Sequence, residues 1–305
     1  MLRITFLGTG GSLPTRNRNP SAVMVNRKGE LLLFDCGEGT QQQMMRAKTG
    51  MMSLSSIFIS HFHADHFLGI PGLIQTMSFM GRKEPLMIYG PVGTREFTEL
   101  FKALGYFNLK YEIRGVDLKP GDILKEEEYV VRAFKTEHSV PSLGYALVEN
   151  PRPGRFNRER AVELGVPPGP LFAKLQKGNS VEVEGRAVKP EDVMGAPRPG
   201  RTIVYTGDTR PCKAVLEASK DADLLVHDGS FADEMADWAD ESRHSTAGEA
   251  AALAKEAGVR QLVLTHISSR YSEDAAPIMN DSKKIFENVI VAEDLMELEI
   301  PHRPE

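Results

Sequence analysis

"ISHFHADHFLGIPGL", residues 59–73, packs His61, His63, Asp65 and His66 into six positions. The apolar run "SIFIS" leads in, and a Gly-interrupted apolar segment leads out. Neutral imidazoles and carboxylates are zinc ligands, and a zinc ion commonly takes four. In extended backbone, residues two apart face the same way. His61 and His63 can therefore serve one ion, and Asp65 and His66, beyond a turn, a second. So many ionisable groups between apolar segments need partners, and a metal provides them.

Two ions need more than four ligands. The chain offers His138 in "KTEHSVPS", Asp208 in "YTGDTR" and His266 in "LTHISSRY". Alone, either histidine reads as a satisfied polar group at a strand end, and Asp208 as a turn or cap residue. Beside the first cluster, the three complete two ligand sets. They bring five of the eight histidines into one group; His227 and His244 fall in the same strand-end region, and His302 lies in the tail. His61, His138, Asp208, His227 and His266 each stand at or just past the end of a predicted apolar strand. Strand ends meeting at one sheet edge are where α/β folds place their sites.

The rest of the chain fits that class. "LRITFLG", "AVMVNR", "ELLLFDCG", "SIFIS" and "PLMIYGP" read as strands. "GTQQQMMRAK", "GIPGLIQTMSFMG" (with Pro71 in its first turn) and "TREFTELFKAL" read as helices. A second half begins near Lys119. Its strands are the two meeting at His138, then "TIVYTGDT", "ADLLVHDG" and "QLVLTHIS", with the helical "TAGEAAALAKEAG" before the last. The expected architecture is α/β, with sheets covered by helices. Residues 150–200 differ: rich in Pro, Gly and Arg and weak in apolar pattern, they read as a flexible arm inserted in a single domain spanning 1–305.

Composition narrows the function. At 305 residues and 41% hydrophobic, the chain supports a large globular core. Its apolar runs are too short to span a bilayer, and "MLRITFLGTGG" lacks the apolar core of a signal peptide, so the expectation is a cytoplasmic protein with no membrane segment. Two cysteines and no CxxC argue against a thiolate zinc site or a disulfide framework. A net charge of -5 argues weakly against a nucleic-acid partner, but the charge is uneven. Residues 152–178 carry six basic side chains against Glu159 and Glu163.

"SHFHADH", followed in order by His138, Asp208 and His266, resembles the metallo-β-lactamase superfamily over essentially the whole chain. The resemblance implies a four-layer αββα sandwich with a dinuclear site at the edge between its sheets. It implies one zinc held by His61, His63 and His138, a second by Asp65, His66 and His266, and Asp208 bridging them. Manganese or iron in place of zinc stays open. Asp35, in "LLFDCGEGT", matches an early aspartate that orients ligands, and Asp65 a proton acceptor for the attacking water. Redox members of the superfamily carry Glu at the position of His63 and an added flavodoxin-like domain, so hydrolysis is favoured.

Four further stretches resemble the ribonuclease Z family. "PTRNRN" is similar to its basic loop, with Arg16 where Lys is usual and Arg18 beyond it. "LVHDGSF" is similar to its His-Glu-Ala-Thr motif, with Asp228 for Glu and Ser230 for Thr, which implies that His227 and Asp228 orient ligands. His244-Ser245-Thr246 matches its His-Ser-Thr loop, in which the histidine is the candidate proton donor. Gly169-Pro170, with Lys174 and Lys177, resembles its tRNA-gripping arm, which typically serves the other subunit of a homodimer. Arg270 and Tyr271 would meet RNA backbone. The implied function is a zinc-dependent endoribonuclease that removes the 3′ trailer from precursor tRNA, leaving a tRNA 3′ hydroxyl and a trailer 5′ phosphate. One alternative is a hydrolase of small phosphodiesters or other esters, which needs no arm. Another is a non-enzymatic RNA-binding protein with a structural metal, which has no use for a paired open site. The family commonly has Gly at the position of Ala64, so a backbone that Ala can adopt is expected there.

Overall fold

In a computed structural model, which describes residues 2–303, two seven-stranded sheets pack face to face. The first runs Glu297–Glu299, Leu2–Gly8, Ala22–Arg27, Glu30–Phe34, Leu54–Phe58, Leu86–Gly90, Ile113–Asp117. The second runs Val289–Val291, Leu262–Thr265, Leu224–Asp228, Thr202–Tyr205, Leu143–Glu149, Tyr129–Lys135, Ile123–Lys125. Alternation along each strand builds the layers. Ile4, Phe6, Phe34, Phe58, Tyr145, Tyr205 and Val226 fill the space between the sheets. Each such fully buried side chain contributes about 1.5–3 kcal/mol. The opposite face of the first sheet buries Leu31, Leu33, Ile57 and Ile88 under the helices Thr40–Ala47, Ile70–Phe79 and Thr94–Ala103. The opposite face of the second buries Val204, Leu225 and Leu264 against Ala250, Ala251 and Ala254 of the helix Ala247–Ala257. The result is the expected αββα sandwich. The return of Glu297–Glu299 to the first sheet, paired with Leu2–Gly8, was not foreseen.

Strands from Glu30–Phe34 to Ile113–Asp117 run parallel, as do those from Thr202–Tyr205 to Val289–Val291. Their carboxyl ends carry Asp35, His61, Asp208, Asp228 and His266, and His138 lies between Tyr129–Lys135 and Leu143–Glu149. Ala64 begins the short helix Ala64–Phe67 and lies outside the left-handed region, as its side chain requires.

Glu149–Gly200 forms a compact unit of its own. It holds the helices Arg158–Glu163, Pro170–Gln176 and Pro190–Val193 and a hairpin of Val181–Val183 with Arg186–Val188. Ala161, Val166, Leu175, Val181, Val188 and Val193 are its core. Its ends are zipped: Arg152 and Arg198 exchange backbone hydrogen bonds of 2.8 and 2.9 Å. The expectation of an irregular stretch is therefore corrected to a small folded unit, because its apolar residues converge from separate elements.

Cys36 is buried, and burial pushes its thiol up to about 12. Cys212 is half-buried and lines a surface pocket. A thiol reagent at mildly alkaline pH should label Cys212 alone in the native protein and both cysteines after unfolding. Labelling of Cys36 in folded protein would contradict its burial.

Candidate metal centre

The candidate ligands gather beyond the ends of strands, with Asp65 and His66 on the short helix Ala64–Phe67. Ser60 and His61 follow Leu54–Phe58, and Asp208 follows Thr202–Tyr205. His266 follows Leu262–Thr265, and His138 lies between Tyr129–Lys135 and Leu143–Glu149. Two glycines make room. Gly207 has φ +61°, and a Cβ there would lie 2.6 Å from Ser60 Cβ. A Cβ on Gly11 would lie 2.6 Å from the His266 ring. His266 (φ +60°) and Asp35 (φ +55°) themselves sit in the left-handed region, a cost the surrounding packing must sustain.

The ligand atoms form two sets that meet at Asp208. His61 Nε2, His63 Nδ1 and His138 Nε2 converge, with His63 Nδ1 3.0 and 3.1 Å from the other two. Asp208 Oδ2 lies 3.6 Å from His61 Nε2 and 3.8 Å from His138 Nε2. On the other side, Asp65 Oδ2 lies 3.5 Å from His66 Nε2 and 3.3 Å from His266 Nε2. Asp208 reaches this set through Oδ1, 3.3 Å from His66 Nε2, and Oδ2, 3.3 Å from His266 Nε2. Ligands of a tetrahedral zinc, at ~2.0–2.1 Å from the ion, stand ~3.3 Å apart. His66 Nε2 and Asp208 Oδ1 are buried without a hydrogen-bond partner. Buried polar atoms are rarely left so, and a cation bound between the sets would satisfy both.

In four of the five candidate histidines the second ring nitrogen is held from behind, which fixes tautomer and direction. His66 Nδ1 lies 2.7 Å from Asp35 Oδ2, and His61 Nδ1 3.0 Å from Ser60 Oγ. His138 Nδ1 donates to the Arg243 carbonyl at 3.0 Å, and His266 Nδ1 lies 2.9 Å from Ser230 Oγ. Asp35 is fully buried and also accepts from the Ser60 amide (2.6 Å), Ser60 Oγ (2.7 Å) and Tyr205 Oη (2.6 Å). Burial, with the neighbouring His66, holds His61 well below the ordinary histidine range. Burial lowers His63 and His138 also. Burial works against a charged His66, but Asp208 and Asp35 more than reverse it and raise His66 well above that range. Asp208 and Asp65 stay anionic despite burial, since His266 and His66 hold both well below the carboxylate range.

His244 borders the sets. Its Nδ1 lies 2.8 Å from Asp228 Oδ2 and 3.9 Å from Asp208 Oδ2, and its ring stacks on His266 at 5.0 Å. Burial alone would lower it, but Asp228 and then Asp208 raise it to about 9. Asp228 also accepts from Ser230 Oγ at 2.7 Å, so it supports His266 at one remove.

A model of the beta-lactamase superfamily domain matches residues 174–267, and one of the anti-Pycsar protein Apyc1 matches residues 2–147. The Ribonuclease Z of Methanosarcina acetivorans is 85% identical, with 100% of both chains covered. That of Archaeoglobus fulgidus is 53% identical over 98% of each. The chain belongs to the ribonuclease Z family. The fold agrees: human tRNase Z, short form, aligns with a TM-score of 0.71 at 30% identity, covering 98% of this chain and 99% of that one.

Three sequence expectations drawn from the ribonuclease Z pattern need correction. His227 orients no candidate ligand. Leu225 faces the helical layer and Val226 the space between the sheets, so by alternation His227 points to the helices while Asp228 points to the site. Its Nδ1 meets the Asp228 carbonyl at 2.8 Å, and its buried Nε2 has no hydrogen-bond partner. Arg18 is not an RNA contact: it is buried, and Nη1 donates to Thr9 Oγ1 (2.8 Å) and the Ala292 carbonyl (2.6 Å). Tyr271 is buried too, its Oη accepting from the Ala232 amide. Arg16 and Arg270 are exposed. Gly169, Pro170, Lys174 and Lys177 are exposed on the Glu149–Gly200 unit, where Gly169 (φ +146°) precedes the helix begun by Pro170.

Sequence reasoning missed two supports. The Ser12 amide donates to Asp65 Oδ2 at 2.7 Å, which ties the Gly-rich first loop to the ligands. Asp294 accepts from the Thr9 amide (3.0 Å), Thr9 Oγ1 (2.7 Å), the Asn19 amide (2.8 Å) and Gln43 Nε2 (2.9 Å), clamping both ends of the "PTRNRN" loop. "VAEDL" carries no local signal for that role.

Proposed function

We propose that the chain is a zinc-dependent tRNA 3′-processing endonuclease with the two zinc ions held as the sequence implied: His61, His63 and His138 for one, Asp65, His66 and His266 for the other, Asp208 between. The supporting observation is the convergence of seven side chains into two sets that meet at Asp208, with two buried polar atoms, His66 Nε2 and Asp208 Oδ1, lacking a hydrogen-bond partner. Paired zinc ions bound there would supply Lewis acidity toward a phosphate and acidify water.

The chain's own residues do the rest. Asp65, steadied by the Ser12 amide, accepts the proton of the attacking water. As water adds to phosphorus, the bond to the 3′ oxygen of the tRNA breaks. His244, carried by Asp228, donates the proton that this oxygen needs. The phosphate remains on the 5′ end of the trailer. Arg16 and Arg270 meet the RNA backbone, and the basic Glu149–Gly200 unit grips the tRNA through phosphate contacts.

The chain works as a homodimer in this reading. Phe79, Met80, Leu100, Leu104 and Tyr106 are exposed apolar side chains on and just beyond the helices Ile70–Phe79 and Thr94–Ala103, a surface that a second copy would cover. Among the described residues no helix is long and apolar enough to cross a membrane, and a cytoplasmic location completes the reading. The direct test is incubation with a 3′-extended tRNA transcript, before and after chelation. Release of the trailer only by metal-replete protein supports the reading, and no release sinks it.

Two substitutions test the roles. Asp35→Asn keeps the shape and tolerates the left-handed backbone but weakens the acceptor behind His66. It should lower zinc affinity about 10–100-fold, measured by competition with a chromophoric chelator. Unchanged affinity would remove Asp35 from the ligand support. His244→Ala should slow transcript cleavage about 100-fold or more yet slow a nitrophenyl phosphodiester far less, because that leaving group departs without a proton. Equal losses on both substrates would refute proton donation.

A further inference from the structure

The His244–Thr246 segment is pinned at three successive residues. Arg210 Nη1 donates to the His244 carbonyl at 2.7 Å. Ser245 Oγ donates to the Thr209 carbonyl at 2.6 Å. The Thr246 amide donates to Glu249 Oε2 at 2.9 Å. Two of these pins are one device. Arg210 and Glu249 form a two-pronged pair, Nη1 to Oε2 at 2.7 Å and Nη2 to Oε1. Their side chains are only 15% and 32% exposed. Such a pair fixes the planes of both groups as well as their separation.

The backbone of Arg210 is tied in the opposite direction. Its amide donates to the Glu137 carbonyl at 2.8 Å, and the Glu137 amide donates to Thr209 Oγ1 at 3.0 Å. Asp208 lies two residues before Arg210, and His138 directly follows Glu137. One residue thus joins the loop carrying Asp208, the loop carrying His138 and the loop carrying His244. Lysine can replace it only in part: a single ammonium keeps the charge but lacks the rigid fork that spans the His244 carbonyl and the Glu249 carboxylate.

We propose that Arg210, seated on Glu249, is a positioning residue that fixes His244 against Asp208 and His138 for proton transfer to the departing 3′ oxygen. The inference rests on the reading of His244 as proton donor. A misplacement of about 1 Å in such a group can cost a factor of a hundred.

The test is single-turnover cleavage of a 3′-extended tRNA transcript by zinc-loaded Arg210→Gln and Glu249→Gln, each alone and combined with His244→Ala. Arg210→Gln should slow the chemical step about tenfold or more, with transcript affinity and zinc content unchanged. Arg210→Lys should recover part of that loss. In the His244→Ala background the same substitutions should change the rate little, because groups acting as a unit are not additive. The same fold-loss in both backgrounds, lost zinc, or a wild-type rate would overturn the proposal. Should Arg210→Gln not fold, Glu249→Gln carries the comparison, with the same outcomes deciding. If His244→Ala itself cleaves normally, the donor reading fails; if it is slow while Arg210→Gln and Glu249→Gln are not, this inference alone fails.

Discussion

Asp208→Ala should abolish cleavage. Asp208 lies within 3.8 Å of His61, His138, His66 and His266, and among the described residues no other carboxylate joins both candidate ligand sets. Truncating it removes from each set the one carboxylate the two have in common, and leaves His61 and His138 with no carboxylate of their own set. Bound zinc should fall below two per chain. Metal contributes several kcal/mol to such a reaction, so the rate should drop ~10³-fold or more. Metal analysis on the same sample separates lost binding from lost chemistry. Asp208→Asn, which keeps one neutral oxygen ligand, should fall between. Full zinc content with near-normal cleavage in Asp208→Ala would mean that the two sets do not share this residue.

Removal of the Glu149–Gly200 unit should split the activities. The unit has its own core, and its ends come together where Arg152 pairs with Arg198. On either side of it, Val148 and Thr202 pair across neighbouring strands, so a short Gly-Ser turn can replace residues 151–199 without touching the sheet. Cutting only residues 152–178, as the charge pattern alone would suggest, strands Val181, Val188 and Val193. The shortened protein should hydrolyse a nitrophenyl phosphodiester at close to the intact rate, since all seven candidate ligands remain. Its kcat/KM on a 3′-extended tRNA should fall ~10²-fold or more, and the salt dependence of binding should flatten as phosphate contacts are lost. Undiminished tRNA cleavage would favour the reading in which the chain hydrolyses small esters and needs no arm.

The sandwich and the side chains that converge in the candidate metal centre were legible because their signals are local. Buried parallel strands are short apolar runs, and His61, His63, Asp65 and His66 are sequence neighbours. His138, Asp208 and His266 were found because each ends such a run. What stayed hidden depends on contacts distant in sequence. Arg18 looks like a surface charge until Thr9 and Ala292 enclose it. The core of the Glu149–Gly200 unit draws on residues five to nine apart in separate elements, a spacing that no helical or strand period detects. Glu297–Glu299 is too short and too acidic to read as a strand, and becomes one only beside Leu2–Gly8. His227 is different: its facing was readable from the alternation of "LLVHD", and the motif resemblance obscured it.

The most direct test of zinc-dependent hydrolysis at the tRNA 3′ end is to map both new ends when zinc-loaded protein cuts a 3′-extended tRNA transcript. Attack by water with departure of the 3′ oxygen gives a tRNA ending in a free 3′ hydroxyl and a trailer beginning with a 5′ phosphate. A 2′,3′-cyclic phosphate on the tRNA and a 5′ hydroxyl on the trailer would contradict it.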